Sequence, residues 1–260
     1  MLNPTLDDIQ RALELPNFDH ERAWRLMAPR PRALRRSPNL PGAARDAAVL
    51  LLLYPRDGEL TFVLTRRTDS VGTHKGQISL PGGAVEPGDD GPVAAALRET
   101  CEELAVSDEN IRLLGELTPL YVVVSDFVIH PIVGYLPAHP QFVPQPSEVA
   151  EVIEVRLADL LDEQVKVVER WTLSGVEVDV PYYRLNGHVI WGGDRHHPQR
   201  VREPAARRRP HRPRLRPARG PLSYALLIPF YPSSYTALSE FICAARRMKM
   251  LLRSAAHLPA

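Results

Sequence analysis

Only two cysteines occur in the 260 residues, Cys101 and Cys243, and neither has a partner at a ligand-like spacing. That excludes a cysteine zinc site and a disulfide framework, and it fits a reducing compartment such as the cytoplasm. No run of 18 apolar residues is present, so no membrane-spanning helix is expected. The first residues lack the basic-then-apolar order of a secretory signal. Net charge is also scarce, at +1, so the chain as a whole has no bias toward polyanions. What remains is 44% hydrophobic and 24% charged, the balance of a globular protein of one or two domains.

The small net charge conceals a division. Residues 195–260 carry +12 and residues 1–194 carry −11. From Arg195 to Arg219 there are 10 Arg, 5 Pro and no Lys, with Glu203 the only acid. Such a stretch cannot bury a core and reads as a disordered tail. It could neutralise RNA phosphates, but no aromatic residue interleaves there for base stacking, so nucleic acid is not the expected partner. A reading-frame shift near Gly193 in a GC-rich gene would produce the same Arg/Pro/Ala/His-rich composition. At the other end, Thr5 can cap a helix from Leu6 to about Leu15, and a second short helix covers His20 to Met27. Pro29, Pro31, Pro38 and Pro41 then break regular structure. The Arg30, Arg32, Arg35 and Arg36 among them read as a solvated linker before a phosphate site.

Between these ends the pattern is strand-rich. Ala47–Tyr54 is a continuous apolar run, as in a strand buried on both faces. Arg56-Asp57-Gly58 signals a turn into a returning strand, Leu60–Leu64. Ile111–Leu120, Phe127–Leu136, Val152–Leu157, Val165–Trp171, Val176–Tyr183 and His188–Trp191 read as further strands, with a short helix at Ala158–Leu161. One clear helix among so many strands predicts an α/β fold with a mixed sheet.

That helix holds the chemistry. In Arg98-Glu99-Thr100-Cys101-Glu102-Glu103 the three Glu stand at i, i+3 and i+4 and share one face. Ala94, Leu97, Cys101 and Leu104 form the expected apolar stripe. Crowded carboxylates either form a solvated face or hold a hard divalent cation, which prefers oxygen ligands. Pro81-Gly82-Gly83, just upstream, is a turn whose backbone can approach phosphate or metal closely.

The combination resembles the Nudix box, G-x5-E-x7-R-E-U-x-E-E-x-G-U, where U is a bulky aliphatic residue. Gly83 opens it and Asp89 stands where the family has Glu. Eight residues rather than seven separate Asp89 from Arg98, Thr100 takes the first aliphatic slot, and Ala105 replaces the glycine. Upstream, Leu64-Thr65-Arg66-Arg67 and His74-Lys75-Gly76-Gln77-Ile78-Ser79-Leu80-Pro81-Gly82-Gly83 are similar to the extended signature of the coenzyme A pyrophosphatase branch, whose box carries the same extra residue. Gly72 stands where that branch often has Arg.

The resemblance implies an α/β/α sandwich with a mixed β-sheet and a loop-helix-loop catalytic motif. It places that domain at residues 45–192, between a helical, proline-rich lead-in (1–44) and the basic tail (193–260). It implies Mg²⁺ or Mn²⁺ held by Glu99, Glu102 and Glu103, with the Gly83 carbonyl as a backbone ligand. Arg66, Arg67, His74, Gln77, Gly82 and Gly83 are the implied substrate-binding positions; for His74 and Gln77 a loop-bracing role is an equal alternative. Arg98 is expected to brace the loop through Asp89. One further acid, as ligand or general base, is expected outside the helix: Glu148 is the first candidate and Glu151 the second. His130, in an expected strand, reads as a satisfied core histidine, and Ser125 and Asp126 lack a companion histidine for serine-hydrolase chemistry. The implied reaction is cleavage of coenzyme A to 3′,5′-adenosine bisphosphate and 4′-phosphopantetheine. ADP-ribose or a dinucleotide is the alternative substrate, and a non-catalytic binding protein on the same scaffold is the rival class. Oligomeric state stays open, a homodimer included.

Overall fold

A computed structural model describes residues 3–14, 44–69, 76–122, 127–173 and 176–190. The second N-terminal helix, the proline linker, His74, Ser125, Asp126 and the basic tail lie outside these residues.

The first element, α1 (Leu6–Leu13), begins at a reciprocal cap. Asp8 N–H donates to Thr5 Oγ1 and Thr5 N–H to Asp8 Oδ2, which satisfies two donors a bare helix start would leave open. After it come β1 (Arg45–Arg56), β2 (Glu59–Arg67), β3 (Ile78–Ser79) and β4 (Gly82–Ala84). The box helix α2 (Gly91–Leu104) follows, then β5 (Arg112–Glu116), β6 (Leu120–Val122), β7 (Phe127–Tyr135) and β8 (Val149–Arg156). Helix α3 (Leu157–Leu161) and β9 (Lys166–Leu173), β10 (Val176–Leu185) and β11 (His188–Ile190) complete the order. No described helix is long and apolar enough to cross a membrane.

β1 is the axis of the larger sheet. Ala48 to Tyr54 are all buried, as a strand covered on both faces requires. It runs parallel to β7 and antiparallel to β2 and β4, so the sheet is mixed. Asp57 and Gly58, both at positive φ, make the tight turn from β1 to β2. The two strands stay paired only from Leu53 opposite Phe62 to Arg56 opposite Glu59. Beyond that they part, and one short segment fills the gap: β3 pairs with β2 while β4 pairs with β1. Leu50 N–H donates to Pro81 O at 2.9 Å inside this wedge.

The alternation of strand residues divides the core in two. On one face Val49, Leu51, Phe62 and Leu64 pack with Ile9 and Ala12 of α1, Leu160 and Leu161 of α3, and Tyr183 and Ile190 from the smaller β9–β11 sheet. On the other, Ala48, Leu50, Leu52 and Val63 pack with Ala95, Ala96 and Leu104 of α2. The buried side of α2 differs from the expected stripe. Ala95, Ala96, Thr100, Glu103 and Leu104 are buried and Cys101 is exposed. Small side chains let the helix lie close on β1, and Thr100 is tolerated there because its hydroxyl donates to Ala96 O at 2.7 Å.

Candidate active site

The box is assembled around the wedge. Gly83 lies opposite Ala48 of β1, and α2 passes above it so closely that a Cβ there would sit 2.7 Å from Glu99 Oε2. Only a residue without a side chain leaves Glu99 in place. Arg98, next along the helix, ties the connecting loop down. Its Nε and Nη2 donate to the two Asp89 oxygens at 2.9 and 3.0 Å, and Nη2 also donates to Ala84 O at 3.1 Å. Nη1 donates to Glu99 Oε1 and Glu102 Oε2, each at 3.1 Å. The Arg98 fork, with the Glu86 amide beside it, holds the Asp89 carboxyl below its usual range, and Asp89 in turn raises the Arg98 guanidinium.

Helix α2 ends at Ala105, which adopts φ +55°, ψ +33° and donates its N–H to Cys101 O at 2.8 Å. This left-handed stop is where glycine is favoured and where an L side chain costs about 1 kcal/mol. Ala105→Gly is therefore expected to raise stability by about 0.5–1 kcal/mol, read as a higher melting temperature, with no change in the box. A lower melting temperature would remove the strain from this account.

The three helix carboxylates occupy different environments. Glu102 is exposed and leans on Arg98. Glu99 is mostly covered, and burial raises its carboxyl although Arg98 pulls the other way. Glu103 is 3% exposed, facing β2. Burial pushes its carboxyl up to about 8; the Arg67 charge opposes this, while Glu99 and Glu148 add to it. Thr65 donates its hydroxyl to Glu103 Oε2 at a long 3.5 Å.

Strand alternation sorts the neighbouring candidates. Thr65 and Arg67 point toward Glu103, while Arg66 Nε donates to Glu151 Oε2 at 2.8 Å, and His188 Nε2 lies 3.4 Å from the same carboxylate. Glu148 sits with Glu99 and Glu103, close enough to act on both. Of the two acids considered outside the helix, the fold brings Glu148 to the box and gives Glu151 to Arg66. Gln77 is buried beside Arg67, its carbonyl accepting from Arg67 N–H at 2.9 Å. His130 has both ring nitrogens 3.0 Å from carboxylates, Asp46 and Glu116, and is satisfied at the strand surface and not in the core. Thr65 was not singled out from sequence; the alternation that places it beside Arg67 was the available signal.

Among the described residues no three His, Cys, Asp or Glu side chains already converge to hold a metal ion. The donor set nonetheless fits a hard divalent cation: Glu99, Glu102, Glu103 and the Gly83 carbonyl are all oxygen, and an ion would offset the burial, and the smaller repulsion from Glu99 and Glu148, that keep Glu103 protonated.

Comparison with known proteins identifies the family. The family model described as NUDIX domain matches residues 44–173. An uncharacterized Nudix hydrolase NudL of Photorhabdus laumondii is 35% identical over 148 residues, 57% of this chain and 78% of that protein. The protein of the same name from Pectobacterium atrosepticum is 42% identical over 115 residues, 44% of this chain and 58% of its own length. Among solved structures, the Nudix hydrolase RenU of M. smegmatis aligns with a TM-score of 0.39 at 22% identity, over 45% of this chain and 73% of that one. From its matched domain and its Photorhabdus relative, the chain belongs to the Nudix hydrolase family.

Proposed function

We propose that this Nudix hydrolase cleaves the diphosphate bond of coenzyme A or its acyl or oxidised forms, releasing 3′,5′-adenosine bisphosphate and the 4′-phosphopantetheine part. The observation that supports the hydrolytic reading is that the loop carrying Glu148 is hydrogen-bonded to the end of α2, which brings Glu148 within electrostatic reach of Glu99 and Glu103. The narrower substrate rests on the Leu64–Arg67 and Gln77–Gly83 segments, which lie side by side in the wedge next to Glu103. ADP-ribose or a dinucleotide is the alternative, because the box addresses only the diphosphate. A reducing cytoplasm suits the exposed thiol of Cys101.

Glu99, Glu102, Glu103 and the Gly83 carbonyl would hold Mg²⁺ or Mn²⁺, which when bound neutralises phosphate charge and acidifies water. The protein's own groups divide the remaining tasks. Arg67, the cation facing Glu103, donates to a phosphate oxygen of the substrate. Glu148 takes the proton from the attacking water, since it is less enclosed than Glu103 and is tied to no described cation. Arg98 stays out of the reaction; its five donor contacts hold the loop and the helix as one body.

The test is hydrolysis of coenzyme A, ADP-ribose and NADH by the purified chain with Mg²⁺ or Mn²⁺, and with chelator. Release of 4′-phosphopantetheine from coenzyme A, abolished by chelator, is the expected result. Faster turnover of ADP-ribose would keep the mechanism and discard the substrate, and no metal-dependent turnover of any of them would favour a binding protein on this scaffold.

A further inference from the structure

The last carbonyls of a helix lie beyond its own hydrogen-bond ladder and need partners. In α2 the loop that carries Glu148 supplies them. Gln145 N–H donates to Glu103 O at 2.8 Å and Val143 N–H to Leu104 O at 3.0 Å. The loop then closes on itself, with the amides of Glu148 and Val149 both donating to Gln145 O, at 3.0 and 2.8 Å. Its other side is held by the residue just past β2. Thr68 N–H donates to Glu148 O at 2.8 Å, and the Thr68 hydroxyl donates to Ser147 O at 2.9 Å. The turn bearing Glu148 is thus strung between the helix end that carries Glu103 and the strand end that carries Arg67. The helix attachments are main chain to main chain and involve no side-chain atom. The strand attachment depends in part on one hydroxyl.

We infer that Thr68 is a positioning residue, its hydroxyl fixing the 145–148 turn so that the Glu148 carboxylate stays beside Glu99 and Glu103. The inference rests on the reading of Glu148 as the proton acceptor. Thr68 acts through Glu148 and touches no reacting atom. It is 9% exposed, so a substitute must match its shape. Thr68→Val keeps the branched side chain and the N–H and removes the hydroxyl; Thr68→Ser keeps the hydroxyl.

Four full-length proteins decide the matter: Thr68→Val, Thr68→Ser, Glu148→Gln and the Val/Gln double variant. Thr68→Val is expected to lower kcat about tenfold with KM within about twofold, because a small misplacement of a reacting group is enough for that. Thr68→Ser should restore kcat to within about twofold. In the Glu148→Gln background the Thr68→Val change should have no further effect, the non-additivity of two residues acting as one. In the metal-free protein, amide exchange at Glu148 and Val149 should quicken about tenfold in Thr68→Val while that of Leu50 is unchanged. A Thr68→Val protein with wild-type kcat, or an equal loss in both backgrounds, overturns the positioning role while leaving Glu148 in place. A Glu148→Gln protein with wild-type kcat overturns the assignment of Glu148 and the role of Thr68 with it.

Discussion

Glu103→Gln is expected to lower kcat by about 10³-fold while leaving the fold intact, since the amide keeps the volume and can still accept from Thr65. The same change carries a second signature. The Glu103 carboxyl is pushed from an ordinary 4.5 to about 8, so the native state prefers it protonated. Its favourable contribution to metal-free stability is present in full below the unfolded value of 4.5 and fades as pH rises through about 8. Wild-type protein in chelator should therefore lose on the order of a few kcal/mol from this group between pH 5 and pH 9. Glu103→Gln should lose none of that increment, and added Mn²⁺ should restore the wild type at the alkaline end. Thermal unfolding of both proteins across that range provides the measurement. Superimposable pH profiles would show that burial does not hold the Glu103 proton, and a near-wild-type rate would take the residue out of the metal set.

Two adjacent glycines should fail in different ways. A Cβ on Gly82 would lie 2.6 Å from Val49 Cα, and the residue also has φ +150°. Main-chain atoms of the central strand cannot step aside, so Gly82→Ala is expected to cost about 3 kcal/mol or more and to lower the melting temperature by about 6 °C or more. The three atoms nearest the corresponding position on Gly83 all belong to the Glu99 carboxylate. A side chain can rotate, so Gly83→Ala should fold within about 1 kcal/mol of wild type and yet lose about 10²-fold in kcat, because Glu99 has been displaced. Equal melting temperatures for the two variants would mean that the wedge is not closed as described.

Much of this could be read before any coordinates were known. The apolar run at Ala47–Tyr54 carries β1 because a strand covered on both faces has no polar alternation to hide it. The Asp57-Gly58 turn announced itself by residue type. The box was legible because its glycines, acids and arginine stand at fixed distances along one short segment. Harder to read was anything set by neighbours far along the chain. Cys101 and Thr100 have the wrong polarity for their places, since close approach to β1 selects small side chains and the Ala96 carbonyl satisfies the hydroxyl. Arg66 and Arg67 are adjacent and look equivalent, but a strand turns successive side chains to opposite faces. Glu148 and Glu151 are three residues apart and share a Glu-Val neighbourhood; a turn held by Thr68 and an ion pair with Arg66 separate them. The two-residue β3 and three-residue β4 carry no periodicity long enough to detect.

The Arg98–Asp89 contact also closes a ring. Residues 89–98 run out from one partner, through Gly91 at φ +80° and into the helix, and return to the other. A Cβ on Gly91 would meet nothing within 4 Å, so the junction borders open space. Residues 91–98 of that ring are helical, so it closes as a stiff strut and not as a flexible loop. A residue added within the helix would swing Arg98 by about 100° away from Asp89. The tether therefore fixes the phase of the helix as well as its position, and with it the direction in which Glu99, Glu102 and Glu103 point.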